Sequence, residues 1–173
     1  MCLIMSLKKK ITAIILIIGV LLFFLALWYK HEYSMNKVQG YDLNAPSLST
    51  KLIIATQGSE FKDKITNDIL EKYRSDSIFI KIIDVSMLQK INPKDYNAVV
   101  VMHTWENWKP PIEVKEFIKR TRDHKEKIIV LTTSGEGSYK MDDVDAITGE
   151  SKLESTTSYS NKIIERLKPL LKH

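Results

Sequence analysis

Residues 11–29 read ITAIILIIGVLLFFLALWY, with no charged side chain among them. At about 1.5 Å per helical residue this run spans ~28 Å, close to the ~30 Å hydrocarbon core of a bilayer. The run predicts a transmembrane helix over 11–29, with the lipid bilayer as its partner. Trp28 and Tyr29 close it as interfacial aromatics, and Lys8, Lys9 and Lys10 precede it. The charges just beyond it, Lys30, Glu32, Lys37 and Asp42, cancel. That asymmetry predicts a short cytoplasmic tail over 1–10, a single pass, and everything after Lys30 on the extracytoplasmic side. A cleaved secretory signal shares the basic start. Its apolar region should be shorter and end in a small-x-small site, where this chain has Leu27, Trp28 and Tyr29. Cys2 has no apolar stretch before it, so the spacing of a lipoprotein signal is missing.

Composition narrows what the rest can do. With 26 Lys or Arg against 21 Asp or Glu, the net charge of +5 is too mild for a dedicated nucleic-acid binder, and no nucleic-acid partner is expected. An apolar content of 44% excludes a fully disordered chain. Cys2 is the only cysteine, which excludes an intramolecular disulfide and a multi-cysteine metal cluster. His31, His103, His124 and His173 show no metal-ligand spacing, and no hydrolase triad can be assembled. No metal site and no catalytic residue is expected. The Lys/Ile-rich, Cys-poor composition reads as bacterial.

Residues 30–50 carry Gly40, Pro46 and the hydroxyls Ser47, Ser49 and Thr50 without a sustained apolar period, which predicts a linker. Residues 51–173 then form one domain of ordinary size. Within it, the segments 52–55, 78–85, 98–102 and 128–131 are nearly continuous apolar runs rather than alternating ones, as in strands buried on both faces of a parallel sheet. Lys81 interrupts the second run, as on an edge strand. A short fifth strand is expected over 144–148. Helical stripes lie between: Phe61, Ile65, Ile69 and Tyr73; then Val114, Phe117, Ile118 and Thr121 behind Pro111; then Tyr159, Ile163, Leu167 and Leu170. The connector 86–96 has room for one or two helical turns. The expected class is α/β, an open doubly wound parallel sheet of four to five strands.

In such a sheet ligands sit beyond the carboxyl ends of the strands. Three of those ends carry small or aromatic loops. Thr56, Gln57, Gly58 and Ser59 follow the first strand, offering either an anion cradle at a helix N-terminus or a plain cap by Ser59. His103, Thr104, Trp105 and Trp108 follow the third. The tryptophans suit a stacked ring ligand or packing over the sheet edge, and His103 either faces a ligand or is packed. Thr132, Thr133, Ser134 and Gly135 follow the fourth, with glycine letting backbone approach a ligand closely. Lys119, Arg120, Arg122, Lys125 and Lys127 form a basic run, read as a solvated helix end or as a site for an acidic partner.

With these loops, and with Asp95-Tyr96-Asn97-Ala98-Val99-Val100-Val101-Met102 leading to Trp105 and Pro110-Pro111, residues 51–172 resemble the flavodoxin-like family and its flavin-reductase relatives. The resemblance implies FMN held noncovalently by Thr56, Gln57, Gly58 and Ser59 at the phosphate. It places Thr104, Trp105 and Trp108 at the ring and Thr132, Thr133, Ser134 and Gly135 closing over it. An electron carrier or FMN-dependent oxidoreductase at the extracytoplasmic membrane surface, with a redox protein partner, would follow; the alternative is a flavin-free module that binds or scaffolds. The loop has fewer hydroxyls than a typical flavodoxin, and the Glu60 carboxylate beside it repels a phosphate. Locally, Asp145-Ala146-Ile147-Thr148-Gly149-Glu150-Ser151 resembles the motif of covalently flavinylated FMN-binding domains, with Ser151 as acceptor and Glu150 where that motif has a small residue. The other reading of the same residues is a strand end before a Ser/Thr-rich helix start.

Overall fold

A strand that is apolar on every residue must be covered on both faces, and each continuous run in this chain becomes a parallel strand of one sheet. The computed structural model describes residues 7–33, 35–142 and 144–172; Cys2, His173 and the side chains of Tyr29 and His31 lie outside the described residues. Contacts divide the chain between Ser34 and Met35. The first unit is helix α1, Leu7–Tyr33, of which Leu7–Trp28 is long and apolar enough to cross a membrane.

The second unit runs β1 (Tyr41–Leu43), β2 (Thr50–Thr56), α2 (Glu60–Tyr73), β3 (Ile78–Asp84), β4 (Ala98–Thr104), α3 (Ile112–Arg120), β5 (Ile128–Thr133), β6 (Ala146–Gly149) and α4 (Thr156–Leu171). The strand order is β1-β3-β2-β4-β5-β6, with β2 to β6 all parallel and β1 antiparallel to β3. This is the doubly wound, flavodoxin-like arrangement, whose winding reverses between β2 and β4. The connector between β3 and β4 forms two 3₁₀ turns, Val85–Lys90 and Pro93–Asp95.

Alternation sorts the strands' side chains into two cores. Leu52, Ile54, Val100, Met102 and Leu131 pack with Phe61, Ile65 and Ile69 of α2 and Ile163 and Leu167 of α4. Ile53, Ala55, Val99 and Val101 pack with Val114 and Phe117 of α3 and Leu88 of the first 3₁₀ turn. Each fully buried aliphatic or aromatic side chain contributes about 2 kcal/mol. Pro169 lies inside α4 but only two residues from its end, where few hydrogen bonds are lost.

The stretch 30–50, expected as a bare linker, is partly built into the sheet. Helix α1 continues to Tyr33, and β1 pairs Asp42 opposite Lys81, their charges 3.7 Å apart. Asn44 Nδ2 donates to Ile78 O at 2.8 Å, and Val38 N to Asp84 Oδ2 at 2.9 Å. Lys81 therefore stands one strand in from the edge. Three residues held by cross-strand pairing leave no periodic signal in the sequence.

Candidate functional site

The carboxyl ends of β2 and β4 meet where the winding reverses, and one side chain joins them. Gln57 Oε1 accepts from Thr104 N at 2.7 Å, and its Nε2 donates to Glu106 Oε1 at 3.0 Å. Thr56 is buried, its hydroxyl donating to Gln57 O at 3.2 Å. A cavity of about 320 Å³ opens beside this junction, lined by Asn36, Gln57, Asp84, Glu106, Lys109 and Glu113 among others.

The loop after β2 is the candidate phosphate cradle, and two of its amides are already engaged. Gln57 N donates to Met102 O at 3.3 Å, and Gly58 N to Asn36 O at 2.7 Å. A Cβ on residue 58 would stand 2.9 Å from that same Asn36 oxygen, so glycine here admits the preceding chain. Ser59 caps α2, accepting from Lys62 N at 3.3 Å, and Glu60 is exposed. These residues do not fit an FMN phosphate: the backbone of Asn36 stands at Gly58, and carboxylates of Asp84, Glu106 and Glu113 line the adjoining space.

Lys62, absent from the sequence expectation, is the cation at this point. It is wholly buried, and its Nζ donates to Thr104 Oγ1 at 2.7 Å and to Ser59 Oγ at 3.4 Å. Burial pulls the ammonium down to about 8, against the pull of the Glu106 and Asp63 carboxylates. An ammonium has no acceptor, so while Lys62 is charged the Thr104 hydroxyl is free to donate to Thr133 Oγ1, 2.7 Å away. Thr133 in turn lies 3.5 Å from His103 O. Thr56, Gln57, Gly58, Ser59, Thr104 and Thr133 are thus brought together, around a lysine and an upstream asparagine.

The remaining candidates lie outside this side-chain cluster. His103 is fully buried with Nε2 2.9 Å from Thr132 Oγ1, and burial followed by the Lys62 charge lowers it to about 4, so the imidazole is neutral at pH 7. Trp105 packs on Tyr139 with ring centroids 5.3 Å apart, and its indole N–H is buried without an acceptor among the described residues. Trp108 is 77% exposed. It forms the tip of a two-residue hairpin turn closed by Glu106 and Lys109, with φ +51° at Asn107 and +59° at Trp108. That is a type I′ turn, and a left-handed tryptophan costs roughly 1–2 kcal/mol. Ser134 N donates to Gly149 O at 3.1 Å, joining the ends of β5 and β6, while Gly135 faces open space. Ser151 is exposed just past β6, flanked by a 2.7 Å ion pair between Glu150 and Lys152.

Nothing in the sequence marks Asn36. Lys62 had a weak signal, standing four residues before Thr66 on the row beside the apolar stripe of α2, both buried. No protein-family profile and no curated protein matches the sequence. Among solved structures, the RcsB response regulator of Salmonella typhimurium is 17% identical over 73% of this chain, with a TM-score of 0.44; this chain spans 63% of that protein. Flavodoxin 2 of Bacillus cereus is 15% identical over 70% of this chain and 77% of its own, with a TM-score of 0.35. An NADPH-quinone reductase of P. pentosaceus is 9% identical over the same shares, with a TM-score of 0.30.

Proposed function

We propose that this chain is a membrane-anchored flavodoxin-fold binding module, its domain extracytoplasmic, which does not hold FMN at the loop after β2. The observation that carries this reading is the bond from Gly58 N to Asn36 O, 2.7 Å long. The central amide of the loop is satisfied within the chain, and a phosphate would have to displace backbone to reach it. Lys62 supports the same reading, since its ammonium turns inward to Thr104 instead of toward an anion.

The competing reading is an FMN electron carrier or oxidoreductase with a redox partner protein, and Trp108 favours it. An exposed indole on a strained turn, next to Lys109 and Pro110 of the cavity wall, is placed as a stacking platform would be. Titrating the full-length protein in detergent micelles with FMN separates the two. The expected result is no saturable quenching of flavin or tryptophan emission up to millimolar FMN. Saturable quenching of both at micromolar FMN overturns the proposal. For the topology, protease added to intact cells is expected to remove the domain, and full protection would place it in the cytoplasm.

A further inference from the structure

Parallel strands are joined by crossovers whose helix normally covers one face of the sheet. Here β5 and β6 are joined by residues 134–145, with no helix among the described residues. Ile129, Leu131 and Ile147 face α2 and α4, so Ile128, Val130, Ala146 and Thr148 face the other side, where α3 is the only α-helix among the described residues. A groove of about 1200 Å³ runs there, its apolar lining including Ile118, Ile128, Val130 and Met141.

The rim of this groove is basic. Lys115, Lys119, Arg122, Lys125 and Lys140 line it against Glu126 and Asp142, while Arg166 is paired with Asp145 at 3.2 Å. All five unpaired cations are exposed, and none makes an ion pair among the described residues. The basic run of the sequence thereby divides. Arg120 turns inward to Leu88 O and Ile91 O, both at 2.6 Å, and Lys127 reaches Tyr96 O at 3.3 Å. Lys119, Arg122 and Lys125 are left on the groove.

We infer that the groove over β5, between α3 and the segment leading into β6, docks an acidic amphipathic helix of a partner protein, in the place where the β5–β6 crossover helix would lie. A cylinder ~10 Å across with this volume is about 15 Å long, or roughly ten helical residues. Lys115 and Lys119 are one turn apart on α3, a spacing matched by carboxylates four residues apart on a docked helix. A second copy of this chain offers no such helix: α2, α3 and α4 bury their apolar faces in their own cores, and α1 has no acidic residue in its first turn or apolar stretch. The inference goes beyond the proposed function and stands or falls independently of FMN.

The test uses the full-length protein in phosphatidylcholine nanodiscs and a fluorescein-labelled amphipathic peptide of fourteen residues, leucine on one face and glutamate pairs four apart on its flanks. Fluorescence anisotropy should show saturable micromolar binding, weakened at least tenfold in the K115E/K119E protein and for a peptide with every glutamate replaced by glutamine. Both lysines are exposed, so an unchanged thermal midpoint confirms that the variant is folded. Absence of saturation, or equal binding by the glutamine peptide or the variant protein, overturns the proposal. Lysine-dependent binding to phosphatidylserine vesicles without peptide binding also overturns it, and assigns the surface to lipid.

Discussion

The two faces of the sheet are covered unequally. On one, α2 and α4 lie side by side, joined by the Phe61 and Tyr159 rings at 5.6 Å and by Ser160 Oγ donating to Asp68 at 2.8 Å. On the other, α3 and the Val85–Lys90 turn, tied by Arg120, cover β2 and β4 and leave β5 and β6 to a loop. Both faces descend from the same continuous apolar strands. The difference lies in one crossover without a helix, which leaves Ile118, Ile128 and Met141 half-buried along a groove open to a partner. Stability should therefore reside on the first face.

That division gives the largest expected effect. Ile65→Ala on the sealed face should cost about 2–5 kcal/mol, because the site is wholly buried and the cavity cannot collapse. Ile128→Ala, half-buried at the groove, should cost about 1 kcal/mol or less. Chemical denaturation of the micelle-bound protein checks both. Equal losses would mean that the groove side carries as much of the fold as the other and that the comparison is wrong.

The same contrast explains what could be read from sequence. Strands buried on both faces announce themselves as unbroken apolar runs, so β2 to β5 and the helices between them were legible, while β6, only partly buried, showed as a short stretch over 144–148 and forms over Ala146–Gly149. β1 was not, because Tyr-Asp-Leu has no pattern of its own and exists only against β3. The strand-end loops were legible by composition, since Thr, Gly and Ser stand where backbone must approach closely. What fills them was not. Asn36 reaches Gly58 from 22 positions upstream (58 less 36), and local composition cannot encode a contact made that far along the chain. Lys62 has only its place four residues before Thr66 to hint at burial, and what it meets, Thr104, lies 42 positions on.

Two buried bases, one on each face, make stability depend on pH. The folded value of Lys62, about 8, lies below its ordinary 10.5. Between those values the unfolded chain holds a proton that the folded chain lacks, so stability rises as pH rises through that window, by about 3 kcal/mol in all. In Lys62→Met the rise should be missing from the denaturation profile; a parallel profile would mean that the ammonium is solvated. His103 sits opposite, on the face that carries the groove, yet wholly buried. Its value of about 4, against an ordinary 6.5, means that stability is lost as pH falls from 6.5 toward 4, again by about 3 kcal/mol. His103→Gln should flatten that acid limb. An ordinary imidazole titration near 6.5 by NMR would show that the opening reaches the β4–β5 strands, where packing now excludes water.

The smallest effect concerns the turn above the cavity. Trp108 holds φ +59° while its ring is 77% exposed, so it accepts backbone strain without compensating burial. Trp108→Gly creates an Asn-Gly pair, the sequence most suited to a type I′ turn. Glycine takes the left-handed conformation without steric cost, offset in part by its greater freedom when unfolded, so the variant should be more stable by about 1 kcal/mol. The measurement is the thermal midpoint of the variant against the wild type, which should rise by a few degrees. Stabilisation on removing the side chain would identify Trp108 as a residue kept for contact with something outside the chain. Destabilisation would show the indole to be structural after all, and would remove the one feature that favours a stacked flavin at this site.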